Sequence, residues 1–149
     1  MSTLETAKQV IKEHNLMHIA SIDENGYPCV RGVDYASDDD MNLYFITHQM
    51  TRKVEQIRNN QHIAFAIDHD CLSFEELQKL KYIKGSGVAK EITNPEEMQR
   101  AFGLIMQKFP YLENLPGDPG DFTAFRVELK EVLVTDNTIS FGHTEMMEK

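Results

Sequence analysis

The residues best suited to chemistry lie together in Thr47-His48-Gln49-Met50-Thr51-Arg52-Lys53. The apolar run Leu43 to Thr47 reads as a strand, and a short loop follows it. Thr51 then stands where a helix with Val54 and Ile57 on one face would begin. The first N–H groups of a helix have no partner inside it and attract anions. Two hydroxyls and two cations join them here. Arginine can grip a phosphate with two parallel hydrogen bonds, and lysine adds a point charge. The segment therefore suits a phosphate. It also suits an ordinary capped helix with two solvated basic residues, and local chemistry leaves both readings open.

Other groupings carry less. Asp68-His69-Asp70-Cys71 holds metal-capable side chains, but four consecutive residues close poorly around one ion, so a polar strand exit is the better reading and no metal site is assigned. His18 and His62 fall in strands and are expected to be packed. Met98, Leu104, Ile105 and Met106 read as core positions of a helix. No Ser-His-Asp or Cys-His grouping can be placed, and no catalytic side chain is named. Gly85-Ser86-Gly87 lacks the strand-loop-helix setting of a dinucleotide fingerprint.

Composition bounds the answer. The 149 residues suit one domain, read as residues 1–149, with a core that needs no disulfides. The net charge of −9 argues against nucleic acid as a partner. No stretch is apolar enough to span a membrane, and the opening residues do not read as a signal peptide. Cys29 and Cys71 read as unpaired thiols. Together these features predict a cytoplasmic protein.

The elements that would position the anion-binding segment follow from pattern. Ser2 and Glu5 form a capping box for a helix bearing Leu4, Ala7, Val10 and Ile11 and ending near His14-Asn15. Strands are expected over 17–22, 27–36 and 43–47, with turns at Asp23 to Gly26 and Ser37 to Asp40. After the Thr51 helix, His62 to Asp68 reads as a central strand. Asp70 to Leu80 fits either a short helix capped by Ser73 or an irregular loop. Tyr82 to Ile92 reads as a strand whose Gly85 and Gly87 mark a bulge or close backbone approach. Asn94-Pro95-Glu96-Glu97 starts a helix running to about Phe109. A long strand over 123–135, a turn at Asp136-Asn137 and a short strand over 138–141 complete the chain. The class is α+β, mainly antiparallel β, as a barrel with peripheral helices.

The joint pattern Val30-Arg31-Gly32-Val33-Asp34-Tyr35, Leu43 to Thr47 and Thr51-Arg52-Lys53-Val54 resembles the flavin-binding half of the pyridoxamine 5′-phosphate oxidase-like family. The resemblance covers roughly residues 1 to 135 and implies a split β-barrel that binds FMN. It implies that Arg31, Arg52 and Lys53 face the phosphate or ribityl chain, with Thr51 opening the phosphate-binding helix. It further implies that Gly32, Val33 and Asp34 lie along the isoalloxazine edge, and that Ile46 and Thr47 touch the cofactor from the next strand. The family pattern also implies a homodimer with flavin at the subunit interface.

The chain departs from the vitamin B6 enzymes of that family. Ala36 stands near the position of a substrate-binding lysine, the end at Phe141-Gly142-His143 lacks the family's basic segment, and Val134 stands near the place of a partner-borne tryptophan. The resemblance therefore implies an FMN-dependent oxidoreductase acting on a small-molecule substrate or electron donor other than pyridoxamine phosphate. Two alternatives stand beside it. One is a non-catalytic module that stores or senses flavin or haem, and the other is a structural dimer with an empty pocket.

Overall fold

The computed structural model describes residues 1–148. Helix α1 (Thr3–Glu13) begins at the expected capping box: Ser2 Oγ accepts from the Glu5 N–H, and the Glu5 carboxylate accepts from the Ser2 N–H. The strands are β1 (Leu16–Ile22), β2 (Pro28–Asp34), β3 (Ala36–Ser37), β4 (Leu43–His48), β5 (His62–Ile67), β6 (Lys81–Glu91), β7 (Phe122–Asp136) and β8 (Thr144–Met146). Helix α2 (Arg52–Asn59) follows β4, α3 (Phe74–Gln78) follows β5, and α4 (Pro95–Lys108) follows β6. Ser73 caps α3 by accepting from the Glu76 N–H, which settles the 70–80 segment as a short helix.

All pairings are antiparallel, in the order β2-β1-β5-β6-β7-β4-β3, with β8 beside β7. The two ends of that path, β2 and β3, are separated in sequence only by Tyr35. One residue cannot span an open sheet, so the sheet must curl on itself into a split barrel. This overturns the expectation of one strand over 27–36. The strand divides at Tyr35, where the chain leaves β1 and takes up β4 as its partner at Ala36; the buried Tyr35 side chain, whose hydroxyl donates to the Ile11 carbonyl at 2.7 Å, anchors that crossing. The last hairpin also differs. Residues 138–141 form a turn in which Asp136 accepts from the Thr138 N–H and hydroxyl while Asn137 accepts from the Gly142 N–H, and the returning strand is β8.

Alternation decides which side of the barrel each residue meets. Met17, Ile19, Leu43, Phe45, Ile63, Phe65, Ile83 and Val127 fill the interior together with Ala7, Val10 and Ile11 of α1 and Val54 and Ile57 of α2. On the outside of β4, Tyr44 and Ile46 meet Ala101 and Ile105 of α4. Strand β5 is flanked by β1 and β6, as a central strand should be, yet His62 and Ala64 are exposed on its second face. His18 is exposed as well, so neither histidine is packed. Both thiols are unpaired, as expected.

The C-terminal carbonyls of α1 are satisfied by side chains: Ile11 by Tyr35, Val10 by the His14 ring at 2.7 Å and His14 by the Lys108 ammonium at 2.7 Å. Lys108 also lies 4.1 Å from the centre of the Tyr35 ring. Burial holds the Tyr35 hydroxyl well above its ordinary pKa, and burial with Asp38 pushes Tyr44 up to about 12. Raised values favour the protonated fold. Their contribution is complete below the ordinary tyrosine value of about 10 and is lost as pH rises above it. Tyr35→Phe should therefore cost about 1–3 kcal/mol near neutral pH, because the Ile11 carbonyl loses its partner. It should also flatten the fall of stability at alkaline pH. Urea unfolding of both proteins from pH 7 to 11 measures each effect.

Candidate functional site

The interior face of the barrel carries a polar cluster where β1, β2 and β4 approach the start of α2. Along β1 the interior positions run Met17, Ile19, Ser21, so a hydroxyl stands where the pattern otherwise places an apolar group. On α2, Gln56 sits among the buried positions with Val54 and Ile57. Ser21 is fully buried and Gln56 nearly so. The Ser21 hydroxyl donates to Gln56 Oε1 at 2.6 Å. Arg31 reaches both: Nη1 donates to Ser21 Oγ at 2.7 Å and Nη2 to Gln56 Oε1 at 3.0 Å. From the other side, Lys53 Nζ donates to Thr47 Oγ1 at 2.6 Å.

Charge balance is the most informative property of this cluster. Among the described residues, no carboxylate is within salt-bridge reach of Arg31, Arg52 or Lys53. Burial holds the Arg31 guanidinium below its ordinary value; Cys29 nearby raises it and the Arg52 charge lowers it further. Burial likewise lowers Lys53, and the Arg31 charge adds to the effect. Arg31 and Lys53 are thus held close together against desolvation and repulsion, with the exposed Arg52 beside them.

The start of α2 carries no side-chain cap. Thr51 occupies the N-cap position, but its side chain makes no capping bond and its hydroxyl instead donates to the His48 carbonyl at 3.1 Å. The first-turn N–H groups of α2 are left without a side-chain cap, with the positive end of the helix dipole behind them.

Strand β2 forms the other wall and is an end strand. The bonds Tyr35 N–H to Asn15 O and Asp23 N–H to Tyr27 O fix the phase of its ladder with β1. Both N–H and C=O of odd-numbered β2 residues point to β1, so those of Val30, Gly32 and Asp34 point away from it, unpaired within the sheet. Val33 turns its backbone to β1 and its buried side chain into the core.

The structure therefore brings Arg31, Thr47, Thr51, Arg52 and Lys53 to one corner and sets the free backbone edge of Gly32 and Asp34 beside it. Ile46 points the other way, into the α4 contact, and offers this corner only its main chain. Val134, expected near the place of a partner-borne aromatic, is buried in the core of its own chain and presents nothing outward. Ala36 is buried against α4. Ser21 and Gln56 were not legible as site residues, and the available signal was a polar residue in apolar phase on each element. The cleft of about 400 Å³ lined by Lys8, Met41 and Met147 shares no residue with the cluster. The groove of about 210 Å³ at Arg52 includes Gln56 of the cluster, is lined also by Asp23, Glu24 and Glu55, and is small for a whole cofactor.

The split barrel thus carries a cationic corner where Arg31, Arg52 and Lys53 meet. The sequence pattern of the pyridoxamine 5′-phosphate oxidase family matches residues 3–136, so the chain belongs to that family. It is 44% identical over 108 residues to a pyridoxine/pyridoxamine 5′-phosphate oxidase of Serratia proteamaculans, covering 62% of this chain and 50% of that protein. The chain thus spans about half the length of that curated relative. Among solved structures, a heme-binding protein from Mycobacterium smegmatis superposes with a TM-score of 0.82 at 15% identity, covering 99% of this chain and 58% of that one. An FAD-binding protein from Mesorhizobium loti gives 0.69 at 20% identity, covering 90% and 94%. At these identities the solved structures establish the shared fold alone.

Proposed function

We propose that this chain is an FMN-dependent oxidoreductase that binds the cofactor phosphate at the Arg31/Arg52/Lys53 corner. The observation that carries the reading is that three cations meet there and, among the described residues, none is in salt-bridge contact with a carboxylate, so an anionic ligand would complete the site. Lys53 and Arg52 would hold the phosphate with the open N–H groups of α2, and Arg31 would face the phosphate or ribityl chain. Gly32 and Asp34 would offer free N–H and C=O groups to the polar rim of the ring. Thr47 would orient Lys53, and Val33 would support the strand from within. FMN, when bound, supplies the redox chemistry through its isoalloxazine ring. The residues of the chain bind and orient it.

The substrate we infer is not pyridoxamine phosphate. A lysine at position 36 would have to bury its ammonium among Tyr44, Ala101 and Ile105, and alanine there offers no charge to a substrate phosphate. FMN-loaded protein should convert pyridoxamine phosphate no faster than free FMN does. Robust production of pyridoxal phosphate would overturn this.

The working unit we propose is a homodimer in a reducing, cytoplasmic setting. Tyr27 and Val30 are about 70% exposed beside the unpaired edge of β2, a surface that a second subunit would cover. An obligate interface would bury roughly 2,000 Å² or more. Sedimentation should give a dimer at micromolar concentration, and a pure monomer would count against it.

A second reading follows from the fold shared with a heme-binding protein: storage or sensing of flavin or haem without turnover. Absorbance of the purified protein separates the chromophores. Mixing FMN-loaded protein with a reductant and an acceptor then separates the roles. Repeated turnover supports the oxidoreductase, and a flavin that stays reduced supports storage.

A further inference from the structure

We propose that Ser21 and Gln56 are positioning residues: they aim Arg31 at the anionic group of the ligand while leaving its charge unneutralised. The inference rests on the phosphate reading above. A fully buried hydroxyl and a nearly buried amide are costly inside an apolar barrel unless hydrogen-bonded, and here they are bonded to each other and to one guanidinium. Gln56 Oε1 accepts twice, from Ser21 and from Arg31. Ser21 Oγ accepts from Arg31 as it donates to Gln56. Arg31 Nη1 also reaches the Ile19 carbonyl at 3.5 Å, and Gln56 Nε2 donates to Cys29 Sγ at 3.5 Å. Arg31 Nε makes no bond to the chain among the described residues, so the fork is held by its two outer nitrogens and keeps a donor free.

The residue type at 56 is what separates positioning from plain structure. Were Arg31 there only to fill space, the best partner would be a carboxylate, which makes a charge-assisted pair. Glutamine has the same shape as glutamate and the same acceptor at the same place, but no charge. It fixes the guanidinium without neutralising it. The charges of Lys53 and Arg52 lie near Arg31 as well, and among the described residues none of the three makes a salt bridge.

The test is Gln56→Glu, titrated with FMN and with riboflavin at fixed pH and salt beside the wild type. The expected result is an FMN-to-riboflavin affinity ratio lowered about tenfold or more, the size of one hydrogen bond to a charged group. Riboflavin affinity should hold, and the apo protein should unfold at the same or a higher urea concentration because Arg31 gains a charged partner. A ratio equal to wild type, or an equal fall for both ligands, would overturn the positioning role. Should Gln56→Glu fail to fold, Ser21→Ala carries the test, with a severalfold lower ratio and unchanged riboflavin affinity expected. A wild type that binds both ligands equally would overturn the phosphate reading and this inference together. A wild type that discriminates beside a Gln56→Glu that discriminates equally overturns only the inference.

Discussion

The double variant Arg52→Ala/Lys53→Ala should lose most of its preference for FMN over riboflavin. Lys53→Ala alone should weaken FMN binding by about 1.5–3 kcal/mol, the range for hydrogen bonds to a charged group. That is about ten- to a hundredfold in affinity. Arg52→Ala should fall at the lower end of that range, because Arg52 is exposed and screened while Lys53 is half-buried and held by Thr47. Riboflavin, lacking the phosphate, should lose much less. Stability should change little. Removing a desolvated cation next to Arg31 offsets the loss of its bond to Thr47, and among the described residues Arg52 makes no salt bridge to lose. If both basic residues were merely solvated surface groups, FMN affinity would be that of wild type in every variant. Fluorescence titration of each variant with both ligands distinguishes the outcomes.

Gly85→Ala should be among the most damaging single substitutions in the chain. A Cβ at Gly85 would lie 1.8 Å from the Glu131 carbonyl oxygen and 2.8 Å from its carbon. Backbone cannot swing aside as a long side chain can, so β6 and β7 would have to part at their longest pairing, where the register already shifts between Ser86 and Gly87. Overpacking of this kind typically costs 1–3 kcal/mol, and a contact this short with main chain should cost about 3 kcal/mol or more. The same substitution at Gly103, in the exposed face of α4 with nothing within 4 Å, should stabilise by up to about 1 kcal/mol, since alanine is the better helix former. Urea unfolding of the two variants should therefore move in opposite directions. A Gly85→Ala protein as stable as wild type would mean that the two strands do not approach as described.

What the sequence disclosed depended on how local each determinant was. The capping box at Ser2 and Glu5, the Asn94-Pro95 helix start and the glycine-marked bulge in β6 are each set by residues within a few positions, and each was legible. The break at Tyr35 was not. No local turn signal divides residues 27–36, and only closure of the barrel, where the chain changes partner from β1 to β4, separates β2 from β3. The last hairpin differs from its sequence pattern because Asp136 and Asn137 accept side-chain bonds from the Thr138 and Gly142 N–H groups and lengthen its turn. In the site, Thr51, Arg52 and Lys53 were legible because they are contiguous. Arg31 joined them only through the family pattern, since no local rule links positions 31 and 53. Ser21 and Gln56 were missed because a polar residue in apolar phase marks a buried network only once its partners are known. Position and residue type make Thr51 a cap in the sequence, whereas its hydroxyl donates to the His48 carbonyl and leaves the helix start without a side-chain cap.

If the cationic corner recognises a phosphate, the protein must tell FMN from riboflavin. The most direct measurement is titration of the wild-type protein with FMN and with riboflavin under the same conditions, at two salt concentrations. We predict tighter binding of FMN by at least about tenfold, as one charge-assisted contact would give. The margin should narrow at the higher salt concentration as the charges are screened. Equal affinity for the two ligands would contradict the account, because Arg31, Arg52 and Lys53 would then be gathered for something other than a phosphate.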